Sequence, residues 1–332
     1  TGATFERTGA MNVILKAYQA PIGLRLAAKI LGWPFQWLGY KGDPAMPPVT
    51  RALTALGPAY IKFGQILSTR PDVVGDELAV QLRVLQDKLP PFPIEEAQKM
   101  IEAELERPLA SMFQDFSAPV AAASIAQVHR AKLASDGADV AVKVLRPGIE
   151  RAFRRDIDAF YFAARMVEVL APGARRLRPL DVIAHFEGVV LGELDLRLES
   201  SAAGEFAANT ESDEGFQLPQ INWSLSGKNF MTMDWAEGIS AGDNAALDAA
   251  GHDRRRIGER ILQLFLSHAL RDGFFHADLH QGNIKIAANG DVIAYDFGIM
   301  GRIDEYTRRV YAEILFGFIR RDYKRVAEVH FE

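Results

Sequence analysis

The 332-residue chain contains no cysteine, which excludes a disulfide scaffold and thiol catalysis and fits a reducing compartment. It also lacks any uninterrupted apolar run long enough to span a bilayer, and no secretory leader is visible. Charge of one sign is scarce as well. With 38 Lys and Arg against 43 Asp and Glu the net charge is −5, so nothing global points to a nucleic-acid partner. What remains, at 48% hydrophobic and 24% charged residues, is the composition of a soluble globular protein. The length exceeds what one small core needs, so two lobes and an extension are expected. The chain starts at Thr1 and stops in a helical-looking stretch; it is expected to be a fragment whose missing ends carry targeting or anchoring segments.

The densest chemistry lies at His276-Ala277-Asp278-Leu279-His280-Gln281-Gly282-Asn283, followed by Tyr295-Asp296-Phe297-Gly298. Asp278 and Asn283 are five positions apart, and Asp296 follows Asn283 by thirteen. These offsets match a kinase catalytic loop and its Asp-Phe-Gly, where the first Asp accepts the proton of the attacking hydroxyl and the Asn and second Asp hold Mg²⁺. Between them, Ile284 to Ala288 and Asp291 to Tyr295 flank Asn289-Gly290, the pattern of a β-hairpin with an Asn-Gly turn. Such a hairpin returns the chain so that Asn283 and Asp296 face one metal site. Two competing readings are weaker. His276 and His280 as zinc ligands on a helix face require a helix that Gly282 and the strand-like Ile284-Lys285-Ile286 break, and they leave Asp296-Phe297-Gly298 unexplained. A polar loop with a chance Asp-Phe-Gly does not explain the joint spacing.

The preceding chain supplies the rest of such a site. Asp139 to Leu145 alternates as a strand and carries Lys143 among small apolar residues, where a kinase places the lysine that meets the α- and β-phosphates. Before it, Ala121-Ala122-Ala123-Ser124 stands where a glycine-rich nucleotide loop is expected, and alanine makes such a loop stiffer. A long helix from Leu180 to about Asn209 is expected to carry Glu193, Asp195 and Glu199. The two glutamates are six positions apart and so point to different sides of a helix; one pairs with Lys143 and the other answers to something else. Phe230 to Gly238 reads as an apolar strand running into a hinge, where backbone groups of Asp234 and Ala236 are candidates to contact adenine. Residues 1–40 are helical and locally basic, with Lys16, Arg25 and Lys29 among Leu24, Leu26, Ile30 and Leu31, then Trp33, Phe35, Trp37 and Tyr40. That pattern suits either a helix lying on a membrane surface or one packed on the main body. From Val49 to about Leu105 the spacing is helical, interrupted at Pro58, Pro71 and Pro90-Pro91-Phe92-Pro93. Within it, Lys62-Phe63-Gly64-Gln65 has no counterpart in an ordinary kinase.

Taken together, these motifs resemble the UbiB family of atypical kinases, also called the AarF or ADCK-type family, over nearly the whole chain. The resemblance implies an α+β, bilobal protein-kinase-like fold with an N-terminal helical extension packed over the active-site cleft. It implies an extension over residues 1–108, an N-lobe with a helical insertion over 109–234 and a C-lobe over 235–332. Carried over by position, Lys143 and Glu199 form the N-lobe ion pair, and Lys62 stands against Glu193 and Asp195. Catalytic roles fall to Asp278, Lys143 and Lys62, and the metal to Asn283 and Asp296. The implied ligands are ATP and Mg²⁺. The implied function is ATP binding with slow hydrolysis in support of ubiquinone biosynthesis, on the cytoplasmic face of a bacterial inner membrane or the mitochondrial matrix side. Membrane lipids, quinone precursors and quinone-biosynthesis enzymes are the implied partners. Two alternatives share the motifs: a phosphotransferase acting on a small molecule or protein, and a nucleotide-responsive scaffold. One departure is Gln281, where the family often has proline.

Overall fold

A computed structural model describes residues 1–17, 22–68, 70–83, 85, 90–170 and 172–331. The N-terminal part is helical: α1 (Gly2–Thr8), α2 (Ala10–Ala17) and α3 (Ile22–Gly32), a 3-10 turn at Trp33–Leu38, then α4 (Pro48–Leu56), α5 (Pro58–Ser68), α6 (Pro71–Val74), α7 (Asp76–Leu82) and α8 (Ile94–Leu105). Of the prolines that interrupt the pattern, Pro58 and Pro71 open α5 and α6, as Pro48 opens α4, because a first-turn residue needs no amide partner and proline presets φ. Four strands follow, β1 (Phe113–Gln114), β2 (Pro119–Ala122), β3 (Ala126–Leu133) and β4 (Asp139–Leu145), then α9 (Ile149–Leu170), α10 (Pro179–Glu193) and α11 (Leu196–Thr210). Next come β5 (Phe216–Gln217), β6 (Phe230–Asp234), β7 (Ile239–Ser240), α12 (Asn244–Ala249), α13 (Arg254–Ser267) with a π-turn to Asp272, β8 (Phe274–His276), β9 (Ile284–Ile286), β10 (Val292–Ala294), β11 (Met300–Arg302), α14 (Glu305–Arg320) and α15 (Tyr323–Phe331). The strands form a sheet in the order β1-β3-β4-β6 with β2 on β3, a second sheet β5-β10-β9-β7, and a β8-β11 pair.

Two expectations about local structure are corrected. The single helix from Leu180 to Asn209 is two helices, α10 and α11, separated at Leu194-Asp195. Asp195 is extended (φ −130°) and its carboxylate accepts the Arg197 N–H, so it caps a helix of its own. The hairpin after Asn283 has three-residue strands and a five-residue connection, 287–291, instead of a two-residue turn. Ala287 N–H donates to the Asp291 carbonyl at 2.9 Å, and Asp291 N–H to the Asn289 side chain at 3.1 Å, a local pairing that closes the wider loop.

The chain divides into two compact units, one of Thr1–Met100, Pro119–Val128 and Val144–Leu194, the other of Ile101–Ala118, His129–Lys143 and Asp195–Glu332. In the first unit the core around α5 is aromatic. Phe63 stacks on Phe160 with ring centroids 4.7 Å apart and meets Phe186 edge-on at 5.1 Å, while Tyr60 meets Phe160 edge-on at 4.7 Å. Gly64 sits at a close approach: a Cβ there would lie 2.3 Å from Leu85 Cδ1 and 2.7 Å from Leu53 Cδ1, so those side chains would have to shift to admit one. Along α3 and its continuation Ile22, Leu26, Ile30, Trp33 and Trp37 are all more than half exposed; the side chains of Leu24 and Leu31 lie outside the described residues.

In the second unit, fully buried Phe206 of α11 meets Phe274 of β8 and Phe297 edge-on, with centroids 6.1 and 6.4 Å away. Packing of this kind locks α11 to the segment that carries Asp296. A second cluster joins Leu247, Leu264, Ile284, Ile286 and Val292 beneath the hairpin. The alternation of Ile284-Lys285-Ile286 buries both isoleucines and turns Lys285 to the opposite face.

Candidate active site

Five of the expected residues converge in the second unit. Lys143 Nζ donates to both carboxylate oxygens of Glu199, at 2.7 and 2.9 Å, and lies 3.5 Å from Asp296 Oδ1. The break before Asp195 makes this possible, because it puts Glu199 in the first turn of a helix independent of α10. Burial pushes the Lys143 ammonium down, but Asp296 and Glu199 together outweigh it and hold its pKa above the ordinary 10.5. Lys143 is therefore a permanent cation at neutral pH. It is in turn the main reason that the Asp296 carboxyl titrates below its usual range. Glu199 moves upward because burial dominates there, with Lys143 working against it.

On the other side of the hairpin, Asn283 is buried and its Nδ2 donates to the Asp278 carbonyl at 3.0 Å and to Asp278 Oδ2 at 3.4 Å. With the amide nitrogen committed, Asn283 Oδ1 is the atom left to face a ligand. Buried His276 joins the two halves. Its Nδ1 accepts the Asp278 N–H at 3.1 Å and its Nε2 bonds the Asp296 carbonyl. Nδ1 acts as an acceptor, so the proton sits on Nε2; burial lowers the pKa of the ring and keeps it neutral. The zinc reading fails on the same facts, since neither nitrogen of His276 is available and His280 Nδ1 accepts the Gly282 N–H at 2.9 Å. Among the described residues no cluster of three or more His, Asp or Glu has metal-binding geometry. The Asp278 carboxylate is 43% exposed, open to a proton donor.

Lys62 forms its expected pair with Glu193 within the first unit, Nζ to Oε1 at 2.7 Å. Asp195, expected beside Lys62, instead clasps Arg197, with its Oδ1 accepting from Nε at 2.8 Å and Oδ2 from Nη2 at 2.6 Å; capping α11 draws it to that neighbour. The alanine-rich loop is also in the first unit, with Ala121 exposed, Ala122 and Ala123 half-buried and Ser124 buried. Arg146, which sequence reading missed, straps that loop. Its Nε and Nη2 donate to the Ala123 carbonyl at 3.2 and 3.0 Å, and Nη2 to the Pro90 carbonyl at 2.8 Å. At the expected hinge, Asp234 N–H donates to the Gln220 carbonyl at 3.0 Å, and the Ala236 carbonyl accepts from Lys285 Nζ at 2.7 Å. Lys285 also stands 5.0 Å from the Trp235 ring centroid. Its strand alternation was the signal available for finding it; Arg146, directly after a strand and before Pro147, offered none.

The donor set matches a hard divalent cation. A carboxylate held ionised by a neighbouring ammonium and an amide oxygen are the ligands Mg²⁺ takes, together with phosphate oxygens. A cation on Lys143 and a carboxylate on Asp278 flank that position chemically, as phosphoryl transfer requires.

Comparison with known proteins identifies the family of the chain. Residues 84–330 match the ABC1 atypical kinase-like domain. The chain is 41% identical over 286 residues to a probable protein kinase UbiB of Marinobacter nauticus, covering 85% of this chain and 52% of that protein. It is 40% identical over 327 residues to a probable protein kinase UbiB of Shewanella baltica, covering 97% of this chain and 59% of that protein. Thus the chain spans between half and three-fifths of these relatives' length. Among solved structures, Rv3197 of Mycobacterium tuberculosis, determined in complex with erythromycin, superposes with a TM-score of 0.59 at 26% identity, over 93% of this chain and 74% of that one.

Proposed function

The chain belongs to the ABC1 atypical kinase-like family, that of the UbiB proteins, and from that premise we propose that it is a Mg²⁺-dependent, ATP-binding atypical kinase or ATPase supporting ubiquinone biosynthesis at a membrane. The observation that carries this reading is the convergence of Lys143, Glu199 and Asp296 with Asp278 and Asn283. In it Lys143, oriented by Glu199, meets the α- and β-phosphates. Asn283 Oδ1 and the Asp296 carboxylate hold the metal, which when bound neutralises charge on the phosphate oxygens. Asp278, held through its backbone carbonyl and carboxylate by Asn283, accepts the proton of the attacking water or hydroxyl. With the Asp234 N–H and Ala236 carbonyl already bonded, the base edge falls to the Asp234 carbonyl and the Ala236 N–H.

The Lys62 to Glu193 ion pair supports the further reading that the Lys62-Phe63-Gly64-Gln65 stretch restrains phosphotransfer, so that slow hydrolysis is the main turnover. Membrane contact rests on the exposed apolar row of α3 and the aromatic residues after it. Among the described residues no helix is long and apolar enough to cross a membrane, so contact of this kind would be interfacial. The test is ATP turnover with and without vesicles, comparing wild type with Asp296→Asn. Turnover is expected to fall at least about a hundredfold, the usual cost of removing a transition-state charge stabiliser. An unchanged rate sinks the metal role. A phosphotransferase acting on a small molecule or protein is favoured by the open Asp278 carboxylate, and transfer of labelled phosphate to such an acceptor would establish it.

A further inference from the structure

The half-buried carboxylate of Glu104, near the end of α8, receives four hydrogen bonds that the reading above does not use. Lys228 N–H and Asn229 N–H both donate to Glu104 Oε1, the latter at 3.3 Å; Asn229 N–H also reaches Oε2 at 3.1 Å and Asn229 Nδ2 reaches it at 2.9 Å. The partners are 124 and 125 positions away in sequence, so this is tertiary structure and not local capping. The loop is shaped for the contact, because a Cβ on Gly227 would lie 2.2 Å from Glu104 Oε1. From there the chain of bonds continues. The Lys228 carbonyl accepts the N–H of Leu196 at 2.9 Å, and Leu196 is the buried first residue of α11. Glu199 lies three residues further on, in the same first turn.

We propose that Glu104 is a positioning residue for the Lys143 to Glu199 ion pair: its carboxylate clamps the 227–229 loop, whose Lys228 carbonyl fixes the register of the first turn of α11. The proposal rests on the nucleotide-site reading for its functional consequence, but the clamp itself lies wholly within the second unit and can be tested without nucleotide. A helix N-terminus leaves backbone N–H groups without partners inside the helix. Here one of those amides is answered by a loop that is itself held by a charged acceptor, and charge-assisted bonds are the stronger class. If the clamp is removed, the first turn can shift by a fraction of an ångström, enough to open a 2.7 Å ion pair. Lys143 then shares Asp296, the proposed metal ligand, and each of its ties to a carboxylate weakens.

The experiment compares wild type, Glu104→Ala, Glu104→Gln, Glu199→Gln and the Glu104→Ala/Glu199→Gln double variant. Acylation of Lys143 by an amine-selective reagent is followed by peptide mass spectrometry, with Lys132 and Lys62 as internal references. Glu104→Ala is expected to raise Lys143 acylation about tenfold, the equivalent of one net hydrogen bond, with no change at Lys132 or Lys62. Glu104→Gln keeps one acceptor oxygen and is expected to fall between. On the Glu199→Gln background the Glu104 substitution should add nothing, because it acts through Glu199. An unchanged Lys143 rate in Glu104→Ala, or a fully additive double variant, overturns the proposal; so does a uniform rise at all three lysines, which marks general loosening. Mg²⁺–ATP affinity is measured on the same proteins. Absence of affinity in wild type overturns the nucleotide reading and leaves the acylation result to decide the clamp.

Discussion

Glu199→Gln isolates the pair on which the proposed site depends. Lys143 Nζ is 2.7 Å from Glu199 and 3.5 Å from Asp296. At an effective dielectric of about 20, pairs at these distances attract by roughly 6 and 5 kcal/mol before desolvation. The ammonium is thus balanced between two carboxylates and does not lose its only partner when Glu199 is neutralised. Removing one member of a buried pair costs about 3–5 kcal/mol when the other charge is stranded. Here Asp296 and the remaining amide oxygen compensate in part, although the Asp296 side chain is 45% exposed and solvent discounts its share. About 2 kcal/mol is left. It appears at the metal site, because an Asp296 that has taken over Lys143 binds a divalent cation less well. The expected result is a loss of about thirtyfold in Mg²⁺-dependent ATP affinity by titration calorimetry, with Mg²⁺-independent binding changed much less. An affinity within twofold of wild type, at unchanged Mg²⁺ dependence, refutes the coupling of Glu199 to the metal ligand through Lys143.

Two further outcomes follow from the same groups and from the exposed apolar row. The folded-state pKa of Lys143 is raised above its ordinary 10.5, so its pairing stabilises the fold fully below that pH and is lost as pH rises through the folded value. Stability of the protein against urea is expected to fall with alkaline pH beyond about 10.5 in wild type, and Lys143→Met is expected to lack the part of that limb due to this pair; equal slopes would contradict the assignment. Trp33 and Trp37 are 72% and 73% exposed, and burying a large apolar side chain is worth about 1.5–3 kcal/mol. Trp33→Ala and Trp37→Ala are each expected to weaken sedimentation with anionic vesicles about tenfold; unchanged binding would assign the row to another role.

Much of the site was legible because its spacing is a mechanical constraint. In the proposed site a metal shared by residues before and after a hairpin accounts for the offset between Asn283 and Asp296, and Lys143 is readable from strand alternation, but the choice of Glu199 over Glu193 as its partner, two helices beyond α9, came only with the family resemblance. The helix boundary that makes the pair was harder to see. No glycine or proline separates Leu194 from Leu196, and the apolar period runs on across the break. The available signal was Asp195 itself, a strong N-cap residue just before a helical run. Reading it as a cap would also have withdrawn it from Lys62, since a carboxylate that caps α11 and grips Arg197 has both oxygens engaged. The supporting residues were invisible for a different reason. Glu104 bonds to amides 124 and 125 positions away, and Arg146 bonds to carbonyls at Pro90 and Ala123. Apart from the Asn229 carboxamide, the groups they meet belong to the backbone and carry no side-chain identity, so pairing of residue types in the sequence marks little of these contacts. The proposed reacting groups are therefore written in residue type and spacing, while the groups proposed to hold them in place are written in tertiary structure, and substitutions that test the chemistry have to be paired with substitutions that test its support.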